Sequence, residues 1–413
     1  MKRLKVAVIV GQFPKISETF IINHVVALLK AGHDVTVFST DYSAAENIHD
    51  IVEEYNILDK TVYRPNPHIG YKRLGVILKA LIKYKYSVSL LLKSFSTKYY
   101  GSYGRKGYFF FELLPYLEKK KPRFDIVHSH FGPNAGKTAF LLELGVISGN
   151  HICTFHGHDV NDYREVDAQF CYKYLLNRCD GAIFVVDYVK DKFLAQFKPK
   201  FPTYKLPVSV DVEKFNGKEY DETKVMNFIT VGRLISWKGQ KETIEAFEKV
   251  QKLDPSFKFV YHVVGAGPES EDLERLVKDK NLQEIVKFYG ALSHGKVAQL
   301  LKTSDVFILF GKKDQYGNID AQGTVVQEAQ AVGLPVIVSN GGGLPEGMLD
   351  KVSGLVVKEN SIDELVEAIL YFKKNPEQIK VMGTKGRLFV KEHYSEEVVY
   401  EKLFQIYEEV MSK

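Results

Sequence analysis

The chain has 413 residues, 45% of them hydrophobic and 26% charged, which at roughly 150 residues per domain suggests two to three domains and excludes a largely disordered or collagenous protein. The longest apolar runs, such as Val6 to Val10 and Leu90 to Leu92, fall far short of the roughly 20 residues that cross a bilayer. The net charge of +5 is uneven, with 29 Lys and Arg against 19 Asp and Glu in residues 1–206 but 27 against 32 in residues 207–413, so the front half is expected to meet an anionic partner.

The opening Met-Lys-Arg-Leu-Lys resembles the start of a signal peptide, but its apolar stretch stops at Gly11-Gln12 with no small-residue cleavage site. A soluble, non-secreted protein is expected. Three cysteines, Cys153, Cys171 and Cys179, lack Cys-x-x-Cys spacing, which indicates neither a zinc site nor a disulfide framework and fits a reducing compartment. Predicted strands in the first half are Leu4–Val10, Asp34–Ser39, Asp125–Ser129, His151–Phe155 and Ala182–Val186. They alternate with amphipathic helical stretches, the pattern of a parallel sheet wrapped by helices. After the first strand, Gly11 to Ser17 offers backbone amides, with Ser17 a candidate helix cap.

Between Lys60 and Phe111 stand eleven basic residues and no acid. Leu74, Ile77, Leu78, Leu81, Ile82, Val88, Leu91, Leu92 and Phe95 recur at roughly helical spacing, with Lys72, Lys79 and Lys83 on another face. This pattern suits an amphipathic helix lying in the plane of an anionic membrane. The alternative is a packed helix with a solvated lysine face. His128 and His130 alternate on one strand face, and His156-Gly157-His158-Asp159 follows the next strand. A histidine beside a glycine that permits close approach can hydrogen-bond a substrate hydroxyl. The spacing of these histidines matches no metal signature, and no metal is expected.

Tyr204 to Ser209 has no helical period and is the candidate linker. The second half repeats the alternation, with strands at Met226–Val231, Lys258–Val264, Ile285–Tyr289, Val306–Leu309 and Pro335–Ser339, and ends in about 50 helical residues with breaks at Pro376 and Tyr394-Ser395. Gly232-Arg233-Leu234 with Lys238-Gly239 places two cations beside a helix start, a set suited to a diphosphate. A solvated loop is the alternative. Gly265-Ala266-Gly267 is a partial dinucleotide fingerprint without its third glycine. Asp320 precedes and Glu328 lies inside a helix starting near Thr324, and two such carboxylates can accept hydrogen bonds from sugar hydroxyls. Because ligands in doubly wound sheets sit past the carboxyl ends of the strands, all these turns point to a cleft between two domains.

The Gly232-Arg233-Leu234 and Lys238-Gly239 pair, the carboxylates ahead of Gly333-Leu334-Pro335-Val336, and the string Phe13-Pro14-Lys15-Ile16-Ser17-Glu18-Thr19-Phe20 resemble glycosyltransferase family 4. The string is most similar to its exopolysaccharide and colanic-acid type members. The resemblance implies an α/β chain of the GT-B fold, with two Rossmann-like domains facing a cleft, acting as a retaining transferase on a nucleotide-diphosphate sugar. An acceptor domain at 1–206, a donor domain at 207–393 and a final segment at 394–413 follow, with the helix near Glu396 to Met411 crossing back to the first domain. Arg233 and Lys238 are assigned to the donor diphosphate, Glu328 to the nucleotide ribose, and His156 to the reacting sugar. Asp320 stands where the family usually has Glu, and Ala321 where it usually has Gly.

The expected catalytic set is thus His156, Asp320, Arg233 and Lys238. Gly11, Gly232, Gly265 and Glu328 complete the donor site, and Ser17, His130 and Asp159 the acceptor site. No cofactor beyond the sugar nucleotide is expected, and no nucleic acid. The acceptor is a saccharide or lipid-linked saccharide, and the location is cytoplasmic, peripheral on the membrane face through residues 60–111. Two readings compete: a nucleotide-sugar 2-epimerase on the same fold, and a non-catalytic membrane-associated scaffold.

Overall fold

The computed structural model describes residues 2–15, 18–42, 50–65, 70–97, 107–161, 166–218 and 225–412. Two compact units are present, one of Met1–Phe184, Lys190–Lys205 and Lys402–Lys413, the other of Val185–Val189 and Leu206–Glu401. No helix among the described residues is long and apolar enough to cross a membrane.

The first unit is built on seven parallel strands: β1 (Lys5–Phe13), β2 (Asp34–Tyr42), β3 (Thr61–Tyr63), β4 (Arg123–His130), β5 (Ser148–Phe155), β6 (Gly181–Phe184) and β7 (Thr203–Lys205). Their order is β3-β2-β1-β4-β5-β6-β7. Val6, Ala7 and Val8 of β1 are fully buried, as a strand covered on both faces requires. Val8 lies opposite Val37 of β2 on one side and His128 of β4 on the other. The helix Thr19–Lys30 returns the chain from β1 to β2, burying Ile21, Ile22, Val25, Val26 and Leu28. Chain order reverses between β1 and β4, which makes their carboxyl ends the natural ligand position. Cys153 and Cys179 are free and buried, while the Cys171 side chain lies outside what is described.

The second unit holds β8 (Met226–Val231), β9 (Phe259–Val264), β10 (Val286–Phe288), β11 (Val306–Leu309), β12 (Val336–Ser339) and β13 (Gly354–Val357), in the order β10-β9-β8-β11-β12-β13. Here the order reverses between β8 and β11. The chain closes with helices Ile362–Lys374, Glu377–His393 and Glu396–Met411, broken at Pro376 and Tyr394-Ser395 where the sequence marks them.

The structure departs from the sequence reading at the sheet edges. β3, β7 and β13 are strands of three or four residues, too short to show a period of two, and an edge strand needs a partner on one side only. The candidate linker accordingly loses Tyr204 and Lys205 to β7, which pairs with β6 through Ile183 and Tyr204. The basic segment forms helices Gly70–Lys83 and Val88–Lys93, one face of which packs on the core. Ala80 and Leu91 are buried against the core with Val76, Ile77, Leu81 and Leu90 beside them. Leu74, Leu78 and Ile82, four residues apart on another face, are 58%, 53% and 78% exposed.

Backbone approach in the second unit depends on missing side chains. Gly265, at φ +146°, ends β9 with the Gly232 carbonyl oxygen 1.8 Å from where a Cβ would stand. Gly265→Ala therefore forces the two turns apart and is expected to destabilise the protein by about 2 kcal/mol or more. An unchanged urea midpoint in this variant would contradict that packing.

Candidate active site

In the second unit, β8 leads through Gly232 to Arg233, whose exposed guanidinium lies 5.8 Å over the Trp237 ring and makes no ion pair among the described residues. The turn Ser236–Lys238 then leads into the helix Gln240–Leu253. Gly239, at φ +72°, allows the close pass, since a Cβ there would meet the Phe310 carbonyl oxygen at 1.8 Å. Lys238 Nζ stands 2.7 Å from Asp320 Oδ1, with both side chains about one-eighth exposed. The other Asp320 oxygen, Oδ2, is buried without a hydrogen bond among the described residues. A carboxylate oxygen left so is costly unless a ligand completes it.

The loop carrying Asp320 is held by glycines that the sequence reading passed over. The Gly343 amide donates to the Asp320 carbonyl at 3.2 Å. Side chains at Gly342 and Gly343 would strike the carbonyls of Asp320 and Ala321 at 2.1 and 2.2 Å. Three successive glycines directly after β12 were the available signal. Glu328 sits half-buried in the helix Thr324–Val332 and makes no hydrogen bond among the described residues. Burial pushes its carboxyl up to about 7, with Lys214 opposing weakly. Arg233, Lys238, Asp320, Gly232 and Gly265 thus gather around the switch between β8 and β11. Gly11 belongs to the first unit and lies inside β1, which runs three residues beyond its predicted end, with Val10 and Gln12 on either side of it paired to β2.

In the first unit the switch between β1 and β4 is occupied by imidazoles. His130 Nδ1 is 3.0 Å from His156 Nε2, and His130 Nε2 is 2.9 Å from His24 Nδ1. His24 Nε2 lies 3.0 Å from the Tyr407 hydroxyl, which lies 2.7 Å from His128 Nδ1. His128 Nε2 ends the series 2.7 Å from Thr154 Oγ1. Ring nitrogens of His24, His128 and His130 come within 4.8 Å of one another, the spacing of a possible three-ligand cluster. Each of those nitrogens is already engaged in one of the hydrogen bonds above. His24 and Tyr407 carried no sequence signal, because they meet β4 from a helix 100 residues earlier in sequence and one nearly 300 later.

His156 is half-buried, with the Phe20 and Phe131 rings at 4.5 and 4.7 Å. Burial lowers the histidines His24 and His156 to about 3 and His151 to about 4, and takes His128 and His130 well below the usual value. All five are neutral at pH 7. Two expected acceptor contacts meet side chains that are otherwise engaged. Asp159 Oδ1 accepts from the His156 and Gly157 amides at 3.1 and 2.8 Å, and Oδ2 from the Gly132 amide at 2.9 Å. It shapes the turn that carries His156. His130 is 4% exposed, with both ring nitrogens bonded to other histidines. Ser17 lies outside the described residues.

Residues 17–214 match the model of Glycosyltransferase Family 4, and residues 211–389 that of Glycosyl transferases group 1. The chain is a glycosyltransferase, with a Glycosyltransferase Family 4 domain ahead of a Glycosyl transferases group 1 domain. This glycosyltransferase is similar over nearly its whole length to the amylovoran biosynthesis glycosyltransferase AmsK of Erwinia amylovora, at 27% identity over 98% of this chain and 99% of that one. It is also similar to the putative colanic acid biosynthesis glycosyltransferase WcaL of Escherichia coli K12, at 25% identity over 97% and 98%. Among solved structures it resembles HepE of Anabaena in complex with UDP, with a TM-score of 0.71 and 13% identity over 97% and 99% of the two chains. A glycosyltransferase of Rickettsia africae gives 0.68 and 18% over 100% and 99%. The fold is GT-B.

The five neutral histidines link stability to pH. Unfolding frees each to take a proton near its ordinary value of 6.5. The unfolded chain therefore binds more protons as pH falls, and the stability, whole above about 6.5, declines as pH drops toward the folded values near 3 to 4. The urea midpoint should drop between pH 7.5 and pH 5, and a flat profile would show that the cluster accepts protons while folded.

Proposed function

We propose that this glycosyltransferase moves a sugar from a nucleoside-diphosphate sugar to a saccharide or lipid-linked saccharide acceptor, with retention of anomeric configuration, in exopolysaccharide assembly on the cytoplasmic face of the membrane. The observation that carries the reading is the Lys238 and Asp320 pair with Arg233 beside it, where one carboxylate oxygen stands buried and unbonded at the carboxyl edge of the sheet. The names of the relatives from Erwinia amylovora and Escherichia coli support the polymer class, and the UDP-bound Anabaena structure supports a nucleotide donor.

The unit that holds Arg233 binds the donor. Arg233, Lys238 and the amino end of the helix Gln240–Leu253 neutralise the diphosphate, so the departing charge is met without a metal. Glu328, half-buried and unbonded, accepts from a ribose hydroxyl, and the free oxygen of Asp320 accepts from a sugar hydroxyl. The bond between the anomeric carbon and the phosphate oxygen breaks as the acceptor oxygen arrives on the same face. The acceptor's proton passes to the leaving phosphate. His156 hydrogen-bonds a sugar hydroxyl from the first unit.

Arg233→Ala is expected to lower turnover about 100-fold, as loss of one charge-stabilising donor does. Asp320→Ala should lower turnover with little change in nucleotide affinity, Asp320→Glu should be tolerated, and chelation by EDTA should leave the rate intact. Wild-type turnover in Arg233→Ala, an inverted product by NMR, or magnesium-dependent recovery after EDTA would each refute part of this mechanism.

The first unit also carries the membrane contact. Leu74, Leu78, Ile82 and Tyr86 form an exposed apolar row flanked by the exposed Lys72, Lys79 and Lys85. Each such cation contributes about 1 kcal/mol near an anionic surface. Lys83 is held 2.6 Å from Glu118 Oε2 and is not counted among them. Sedimentation with phosphatidylglycerol vesicles should fall with added salt and in the double variant Lys72→Glu and Lys79→Glu. Unchanged sedimentation in that variant would leave the row as ordinary protein surface.

A further inference from the structure

The loop that delivers Asp320 has one buried anchor. Over residues 312–325 every residue is half-buried or exposed except Gln322, which is 4% exposed. Burying an amide is costly unless its oxygen and nitrogen are both paired. Here both are. The Val208 amide donates to Gln322 Oε1 at 2.6 Å, and Gln322 Nε2 donates to the Val208 carbonyl at 2.9 Å. Nε2 also reaches Gln327 Oε1 at 3.4 Å.

Two residues of neighbouring antiparallel strands exchange the same pair of bonds; here a side chain stands in for the second strand. The amide fits in one orientation only, because reversing it would set nitrogen against the Val208 N–H and oxygen against the Val208 carbonyl. Two bonds to one backbone residue fix direction as well as depth. The far end of this clasp is itself held. Val208 lies in the segment after β7 by which the chain enters the second unit, and two residues on the Val210 amide donates to the Tyr394 carbonyl at 2.8 Å. Asp320 stands two residues before Gln322, and its carbonyl accepts from the Gly343 amide at 3.2 Å. Its Oδ1 keeps 2.7 Å from Lys238 Nζ, a contact that weakens once the atoms part beyond about 3.2 Å. A shift of half an ångström in this loop is therefore felt at the carboxylate.

We propose that Gln322 is a positioning residue for Asp320, its amide clasp on the Val208 backbone setting where the Asp320 carboxylate stands against Lys238 and toward the sugar. The proposal rests on the assignment of Asp320 to a sugar hydroxyl. It accounts for an amide where a leucine would fill the same space, since leucine would take from Val208 both of the partners that Gln322 supplies. It also makes the place of the carboxylate depend on a backbone segment more than 100 positions earlier in the chain, as the 114-residue separation of Val208 and Gln322 requires.

The test uses the full chain with isotope-labelled lysine and two variants. Gln322→Leu keeps the volume and removes the amide. Gln322→Glu has a donor and an acceptor when protonated but only acceptors when ionised. NMR follows the Lys238 ammonium signal, assigned by its loss in Lys238→Arg, and Asp320→Asn shows where that signal falls once the ion pair is gone. In Gln322→Leu the signal should move toward the Asp320→Asn position. Amide exchange at Gly343 should quicken about tenfold or more, while β8 and β12 exchange as in the wild type. Because burial raises a carboxyl's pKa, Gln322→Glu should match the wild type at about pH 5.5 and Gln322→Leu at about pH 8.5, each compared at the same pH. A Lys238 signal unmoved in Gln322→Leu would overturn the proposal. So would exchange quickened equally in β8 and β12, the mark of a residue serving the fold at large, or a Gln322→Glu variant that differs from the wild type by the same amount at both pH values. Should Gln322→Leu fail to fold, Gln322→Glu decides alone. Normal turnover in Asp320→Ala would refute the sugar contact while the Lys238 signal still judges the clasp, so the two failures are separable.

Discussion

A parallel strand covered by helices on both faces has no solvated side, so its side chains must be apolar or bonded to one another, and free polar groups collect in the turn past its carboxyl end. Both units obey this constraint. β8 and β11 end on the apolar Val231 and Leu309, with Gly232 and Arg233 directly after the first and Phe310 and Gly311 after the second. Arg233, Lys238 and Asp320 owe their proximity to the reversal of strand order between β8 and β11, where neighbouring connections leave in opposite directions.

β4 and β5 take the other course. His128, Ser129, His130, His151 and Thr154 are all buried inside strands, and each would be expensive there alone. They are tolerated because they satisfy one another and because an imidazole has a neutral form with both a donor and an acceptor. Asp or Lys at the same positions would have to bury a charge. The same neutrality that lets the cluster be buried makes it sensitive to acid.

The donor side rests on charge rather than on neutral hydrogen bonding. Lys238 and Asp320 hold each other at 2.7 Å in a largely enclosed place, where removing one partner would strand the other. On the proposed reading, a diphosphate would offer Lys238 a second anion, and a sugar hydroxyl would offer Asp320 Oδ2 a donor. Such a pair keeps each group in place while its other partner is away. Glu328 differs in having no ion pair among the described residues, with Lys214 acting on it only weakly. Its raised carboxyl suits a position whose hydrogen-bond partner arrives with the ligand.

Much of this was legible in the chain itself. Apolar runs of four to nine residues alternating with amphipathic stretches specify parallel strands and covering helices, because burial on both faces writes itself into composition. Arg233 and Lys238 could be picked out because their turn follows a strand directly, and Asp320 and Glu328 because they stand before and inside a helix that feeds the next strand. The edge strands β3, β7 and β13 could not, since three or four residues carry too little periodicity and their pairing is supplied by the neighbour. Nor could the glycines at 341–343 be matched to the Asp320 loop, or Thr154, His24 and Tyr407 to His128 and His130. Those contacts join residues from 22 to 279 positions apart, and whether a buried histidine is a ligand, a base or a structural hydrogen-bond partner depends on which atoms face its two nitrogens. Local sequence fixes the kind of side chain, while only the packing of distant elements decides where its proton goes.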